Sequence, residues 1–320
     1  MFKYVVKRIL WTIPVLLGVI IIIFTITYFT PGDPAYMVLG STATDAEVAE
    51  WRASVGLDQP FMIQLWDYIV GIVTRLDLGI SYTNSQSVSE QILSRIPLSF
   101  ALGFLSTGLS IVVAIPLGII AALKRNSVYD YSSTVVSLVG SSMPNFWIAM
   151  LLMLLFGVTL AWLPVNGIGT WKHWIMPVFV SALFPVSMMM RTTRSSVLEV
   201  VRADYITTVR AKGQSETKIV TKHVLRNSML PVITVIGSSL SASLAGSLIV
   251  EVVFSFPGLG LLLSSAIGAR NYPVIRGTTV VYAIIVCVLN LIVDLVYTAV
   301  DPRIKTQFFG AAKRKGGAGA

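Results

Sequence analysis

Side chains able to carry reactive or metal-binding chemistry are few in this sequence, and that scarcity is the first constraint on its function. The two histidines are His173 and His223, and the one cysteine, Cys287, sits inside an apolar run. Two histidines so far apart argue against a histidine-built metal site. A lone cysteine gives no disulfide framework and no reading of the redox compartment. No GxxxxGK[ST] stretch is present to cradle the phosphates of a nucleotide. There is also no GxSxG elbow, no HExxH helix and no carboxylate pair suited to acid–base work. The expectation is a chain with no catalytic residues, no metal and no cofactor of its own.

Positive charge is concentrated instead. Between Arg191 and Pro231 stand Arg191, Arg194, Arg202, Arg210, Lys212, Lys218, Lys222 and Arg226, in a chain of which only 12% is charged. Such an island belongs in water. Leu198, Val201, Tyr205 and Val209 recur at steps of three and four, which predicts one apolar helical face with Arg202, Thr208 and Arg210 turned away. Gly213 ends that helix, being free to take the left-handed conformation of a C-terminal cap. Ser215 then caps a second helix, with Glu216 in its first turn and Ile219, Val220 and Val224 as its apolar side. Either the hairpin docks a cytoplasmic partner, or it is a basic loop that follows the charge bias of membrane topology and meets lipid headgroups.

The elements that must position this hairpin are membrane spans. The chain is 55% hydrophobic with a mean hydropathy of +0.78, which describes a polytopic membrane protein. Its net charge of +9 is placed by topology rather than by nucleic acid. Residues 9–30 suffice to cross a hydrocarbon core of about 30 Å at about 1.5 Å per residue. We read them as an uncleaved first helix behind a short basic start, giving a first segment of 1–30. Residues 31–97 carry eight acidic and three basic side chains, so they are expected outside. There Thr44 with Glu47 has capping-box spacing, and Phe61, Leu65, Tyr68, Ile69 and Ile72 mark an amphipathic surface helix.

Further spans are expected at 98–123, at 131–161 with an interruption at Met143-Pro144-Asn145, at 171–190, at 229–250 and at 274–300. The proline marks either a hinge or simple curvature. In the fifth span Gly237, Ser241 and Ala245 repeat every four residues, as do Ser239, Ser243 and Ser247. Close helix packing is the default reading of such a pattern, and a wet translocation path along Ser239, Ser243 and Ser247 is the sharper one. Asp294 in the last span reads as a structural partner rather than a proton relay. Eighteen of the twenty-four basic residues fall in intervals assigned to the inner side, and Arg276 is among those near the outer interface. Both termini are therefore expected inside, with a cytoplasmic tail at 304–320.

The run DYITTVRAKG from Asp204 to Gly213, followed by HVLRN at His223 to Asn227, resembles the cytoplasmic coupling loop of ABC importer permeases. It is most similar to the B-type subunit of dipeptide, oligopeptide and nickel importers. The general motif of that superfamily is EAA, three residues, Gly, nine residues, Ile-x-Leu-Pro. Here Thr207, Thr208 and Val209 stand in place of EAA, Gly213 is kept, and His223, Leu225 and Arg226 replace Ile, Leu and Pro. Pro31-Gly-Asp-Pro34, Gly56-Leu-Asp-Gln-Pro60, Asp77-Leu-Gly79, Phe254-Ser-Phe-Pro-Gly-Leu-Gly260, Asn271-Tyr-Pro273 and Asp301-Pro-Arg303 are similar to the same subfamily.

The resemblance implies an all-α membrane protein of six transmembrane helices in the inner or plasma membrane of a prokaryote. It places an extracytoplasmic subdomain between helices 1 and 2, and a coupling loop at 191–228 within a permease core of 98–303. It implies that Asp204, Tyr205, Thr208, Arg210, Ala211, Lys212, Gly213 and Ser215 meet an ATPase subunit. The implied partners are a second homologous permease, two ATP-binding subunits that hold ATP and Mg, a solute-binding protein that meets residues 31–97, and membrane lipid, with no nucleic acid. Residue by residue, the outer segment reads equally well as a passive cap. Peptides are the expected cargo by family frequency, with nickel complexes, glutathione and sugars as alternatives. A passive channel or ion-coupled carrier would predict intramembrane charge clusters or broken, repeated halves, and an intramembrane enzyme a nucleophile with its base; the sequence shows neither.

Overall fold

The computed structural model describes residues 2–246 and 248–300. Its described residues form helices joined by turns, with one isolated bridge between Ile80 and Ser87. The elements are α1 (Phe2–Phe29), α2 (Pro34–Leu39), α3 (Asp45–Ser54), α4 (Phe61–Arg75), α5 (Val88–Leu123), α6 (Val128–Ser142) and α7 (Asn145–Leu152), which continues as a π-helix over Met153–Thr159. After these come α8 (Lys172–Val201), α9 (Asp204–Ala211), α10 (Glu216–Lys218, continuing as π-helix Ile219–Val224), α11 (Leu225–Gly246), α12 (Leu248–Val253), α13 (Leu259–Gly268) and α14 (Tyr272–Val300).

Four helices are long and apolar enough to span a membrane, namely Val5–Phe29, Val88–Leu123, Lys172–Val201 and Tyr272–Leu295, and the pair α6 and α7 makes a fifth if counted as one. The expectation of six is thus met in part. The remaining span falls on α11, which is long but opens on Arg226 and Asn227 and carries the serine-rich stretch. At the interruption of the third span the axis turns by 102°, a break rather than a kink. The α region is disfavoured for the residue before a proline. Met143 is accordingly extended at ψ 133°, and Pro144 starts a new helix. Two helices outrun their expected limits: α5 begins at Val88 and passes through Pro97, and α8 continues to Val201, so the first third of the charged island is still part of a long helix.

The chain divides into two compact units. One comprises residues 1–101, 164–173 and 245–287, the other 102–163, 174–244 and 288 onward. In the first unit the caps form as their residues dictate. Asp33 accepts from the Ala35 amide at 2.9 Å ahead of Pro34, and Thr44 and Glu47 close a capping box. The Thr44 hydrogen bonds hold the Glu47 carboxyl below its usual range. The apolar face of α4 is half-buried at Phe61, Leu65, Tyr68, Ile69 and Ile72, while Met62, Trp66 and Val73 stay exposed.

The same unit explains three of the sequence motifs. Arg270 and Tyr272 donate to the carbonyls of Pro31 and Gly32 at 2.8 and 3.2 Å. The Asn271 side chain donates to Ser81 and Thr83 and accepts from the Tyr82 amide. Glu251, fully buried, receives the Ser99 hydroxyl at 2.8 Å and the Gly260 and Leu261 amides at 2.6 and 3.3 Å, so its carboxylate sits at the N-terminus of α13. A Cβ on Gly258 would lie 2.4 Å from Glu251 Oε2 and 2.5 Å from Ser99 Oγ. The glycine is required by that close approach.

A candidate coupling hairpin and a serine-rich helix

In the second unit, the hairpin expected from the charged island is present. α9 follows a break at Ala203, whose extended backbone (ψ 141°) separates it from α8. Gly213 has φ +73°, the left-handed corner that its residue type allows. Ser215 is extended, as an N-cap should be, but its side chain makes no capping bond, and its carbonyl starts the next helix by accepting from the Ile219 amide at 3.0 Å. From Ile219 to Val224 the second arm winds as a π-helix before it enters α11.

Two isoleucines seat the hairpin. Ile206 and Ile219 are fully buried with Val224, Val197 and Ala122, and Leu198, Val201 and Val209 pack around them. The predicted face was right at Leu198, Val201 and Val209 and wrong at Tyr205, which is exposed. The extended residue at Ala203 restarts the helical phase, so Ile206 takes the inward position that unbroken periodicity assigns to Tyr205. The Tyr205 hydroxyl instead accepts from Asn227 Nδ2 at 2.9 Å, tying α9 to the start of α11.

All eight residues expected to meet a partner, Asp204, Tyr205, Thr208, Arg210, Ala211, Lys212, Gly213 and Ser215, are exposed. Arg210 reaches across the corner to Glu216 through Nε at 2.5 Å and Nη2 at 3.3 Å, and this guanidinium holds the Glu216 carboxyl below its usual range. Arg202, Lys212, Lys218, Lys222 and Arg226 are exposed and form no ion pair among the described residues, so the outer face of the hairpin is cationic. Arg194 differs: it makes a two-pronged pair with Asp130 of α6 at 2.5 and 2.9 Å. Asp130 is 4% exposed and also accepts from the Asn126 amide, so this arginine clamps α8 to α6 rather than facing a partner. Sequence reasoning did not single out Asp130, whose only signal was an acid at the start of a span.

The serine row of α11 is placed differently from its hairpin. Ser239 is buried, Ser243 is half-buried with its hydroxyl unbonded among the described residues, and Ser247 lies outside them. On this helix the small residues Thr234, Ser238 and Ala242 are exposed. Gly237 of the neighbouring row packs closely, since a Cβ there would come within 2.6 Å of Val293 in α14. Among the described residues no cluster of His, Cys, Asp and Glu could hold a metal ion.

A helical chain with at least four helices long and apolar enough to span a membrane, and with no GxxxxGK[ST] stretch, fits the class of membrane transport subunits. Within that class the chain belongs to the family of binding-protein-dependent transport system inner membrane components, whose model matches residues 114–306. The N-terminal model of such membrane components matches residues 1–103. Its relatives include the glutathione transport system permease protein GsiC of Salmonella typhi, 40% identical over 305 residues, 95% of this chain and 99% of that protein. A putative peptide transport system permease protein of Brucella abortus is 38% identical over 309 residues, 94% of this chain and 98% of that protein. The fold is shared with the MetNI methionine ABC transporter in an inward-facing form, at TM-score 0.54 and 15% identity over 67% of this chain and 97% of that one. It is shared also with a crystal structure of an amino acid ABC transporter with histidines, at TM-score 0.52 and 14% identity over 66% of this chain and 94% of that one. As a member of its family, the chain is a permease subunit of an ABC importer.

Proposed function

We propose that this permease carries short peptides inward and is driven by ATP hydrolysed on other chains. Its partners are a second homologous permease, two ATP-binding subunits that hold ATP and Mg, and a solute-binding protein that docks on residues 31–97 from outside. Both termini and the hairpin face the cytoplasm. The single observation that carries the coupling reading is the hairpin itself: Ile206 and Ile219 anchor it while Asp204 to Ser215 stand open. A protein without its own fuel can favour one conformation only through partners that bind its states unequally, and an anchored lever transmits such a bias better than a loose loop. During transport the path runs along Ser239, Ser243 and Ser247, which alternation uncovers.

Peptides are supported by the Brucella relative, and glutathione, itself a tripeptide, by the Salmonella one. The coupling test uses Gly213→Pro, since proline cannot take φ +73°, and Asp204→Arg, which reverses a charge on an exposed face. Both variants should leave the membrane fold intact while losing solute-stimulated ATP hydrolysis in reconstituted vesicles. Full stimulation in both would overturn the coupling role.

A further inference from the structure

Arg276 is the least expected charge in the first unit. It lies in the second turn of α14, is 6% exposed, and forms no ion pair among the described residues. Its Nε donates to Thr27 Oγ1 at 2.6 Å, and its guanidinium carbon stands 3.9 Å over the Phe24 ring, with the Tyr272 and Tyr68 rings near 6 Å. The remaining four N–H donors find no protein acceptor among the described residues. Burying a cation without a counter-charge is costly, and aromatic faces offset only part of that cost.

Two carboxylates line the cavities that Arg276 borders, Asp33 and Asp67, and neither forms an ion pair with it among the described residues. Asp33 is engaged by Arg52 and by the Ala35 amide. Burial pushes the Tyr68 and Tyr82 phenols up, so both stay neutral at physiological pH. Arg276 borders two cavities. One, of about 480 Å³, is lined also by Thr27, Gly32, Asp33, Arg52, Gln64 and Tyr272. The other, of about 400 Å³, is lined also by Ser54, Gln59, Gln64, Asp67 and Tyr82. These volumes suit a small solute, being near the lower end of the roughly 300–1,000 Å³ found for ligand pockets.

We propose that Arg276 and the cavities it borders form a binding site for the carboxylate of a small external solute, the guanidinium taking the oxyanion through its two Nη groups. A planar guanidinium matches a carboxylate in two parallel bonds, a geometry that lysine cannot reproduce. The aromatic rings fix the plane of the fork, and Gln64, shared by both cavities, offers an amide to the rest of the solute. The inference deepens the peptide reading above and rests on it for the identity of the solute, since a peptide ends in the required group.

The test is isothermal titration of the assembled transporter in phosphatidylcholine nanodiscs, without nucleotide or receptor, using dialanine and its C-terminal amide. The discs are open to solution on both faces, so the result depends neither on membrane orientation nor on ATPase coupling. The acid should bind about 10- to 100-fold more tightly than the amide, the range of a charge-assisted pair. Arg276→Gln should bring the acid down to the level of the amide, and Arg276→Lys, which keeps the charge and guards against misfolding, should retain part of the preference. Equal binding of acid and amide, no binding of either, or an undiminished preference in Arg276→Gln would overturn the site. In discs containing phosphatidylglycerol, a loss of dialanine binding would identify a lipid headgroup as the occupant and overturn the assignment to a solute.

Discussion

Truncating Ile206 to alanine should unseat the hairpin while leaving the spans in place. α9 is eight residues long and Ile206 is its one buried side chain, enclosed by Ala122, Val197, Ile219 and Val224. Removing a fully buried isoleucine down to Cβ costs about 2–4 kcal/mol in lost burial and in the cavity left behind. The other ties of α9 to its surroundings are the half-buried Val209, the exposed Tyr205–Asn227 bond and the Arg210–Glu216 pair. The cost therefore falls on local seating rather than on the whole unit. At about 1.4 kcal/mol per tenfold, the open population of α9 rises about 30- to 700-fold. Hydrogen exchange in nanodiscs should show α9 amides faster by that factor, with the middle of α8 and of α11 unchanged, and solute-stimulated ATP hydrolysis should fall in parallel. Exchange at α9 within threefold of the unaltered protein would refute the seating argument. Faster exchange with full stimulation would refute the idea that seating matters for coupling.

Two further outcomes follow from packing and charge. Gly258→Ala should cost about 3 kcal/mol, because its Cβ would press on the Glu251 carboxylate and the Ser99 hydroxyl, which are buried and bonded to each other. Gly268→Ala, with nothing within 4 Å of its Cβ, is the matched control and should leave the thermal unfolding midpoint unchanged or raised. Asp130→Ala should cost about 2–4 kcal/mol by stranding Arg194, and the double change with Arg194→Met should cost less than Asp130→Ala alone, measured by the same midpoints. Equal or greater loss in the double variant would show that the pair is not what holds α6 to α8.

The hairpin was legible because its signals are local. A glycine at a positive-φ corner, apolar residues at helical spacing and a cluster of charges need no distant partner to be read, and Gly213, Ile219 and Val224 stand where they were expected. The misplaced Tyr205 shows the limit of periodicity: a single extended residue at Ala203 shifts the phase, and nothing in its residue type announces the shift. Pro144 was legible as an interruption, but the 102° turn depends on where the following helix packs. The Glu251 lock was not legible, since it joins Ser99 to a glycine motif some 150 residues later in the chain. Arg276 was counted as an interfacial charge, and only folding shows it enclosed by Phe24, Thr27 and Tyr68.

The central claim is that the Asp204–Ser215 surface is a cytoplasmic seat for an ATPase subunit, and one labelling experiment addresses it directly. Cysteine is placed at Ala211, exposed in the structure, with Cys287→Ser as background, and a membrane-impermeant maleimide is applied to right-side-out and inverted vesicles. The account predicts no labelling of right-side-out vesicles, strong labelling of inverted vesicles stripped of the ATPase subunits, and protection when those subunits are restored. Labelling from the outer face, or equal labelling with and without the ATPase subunits, would contradict it.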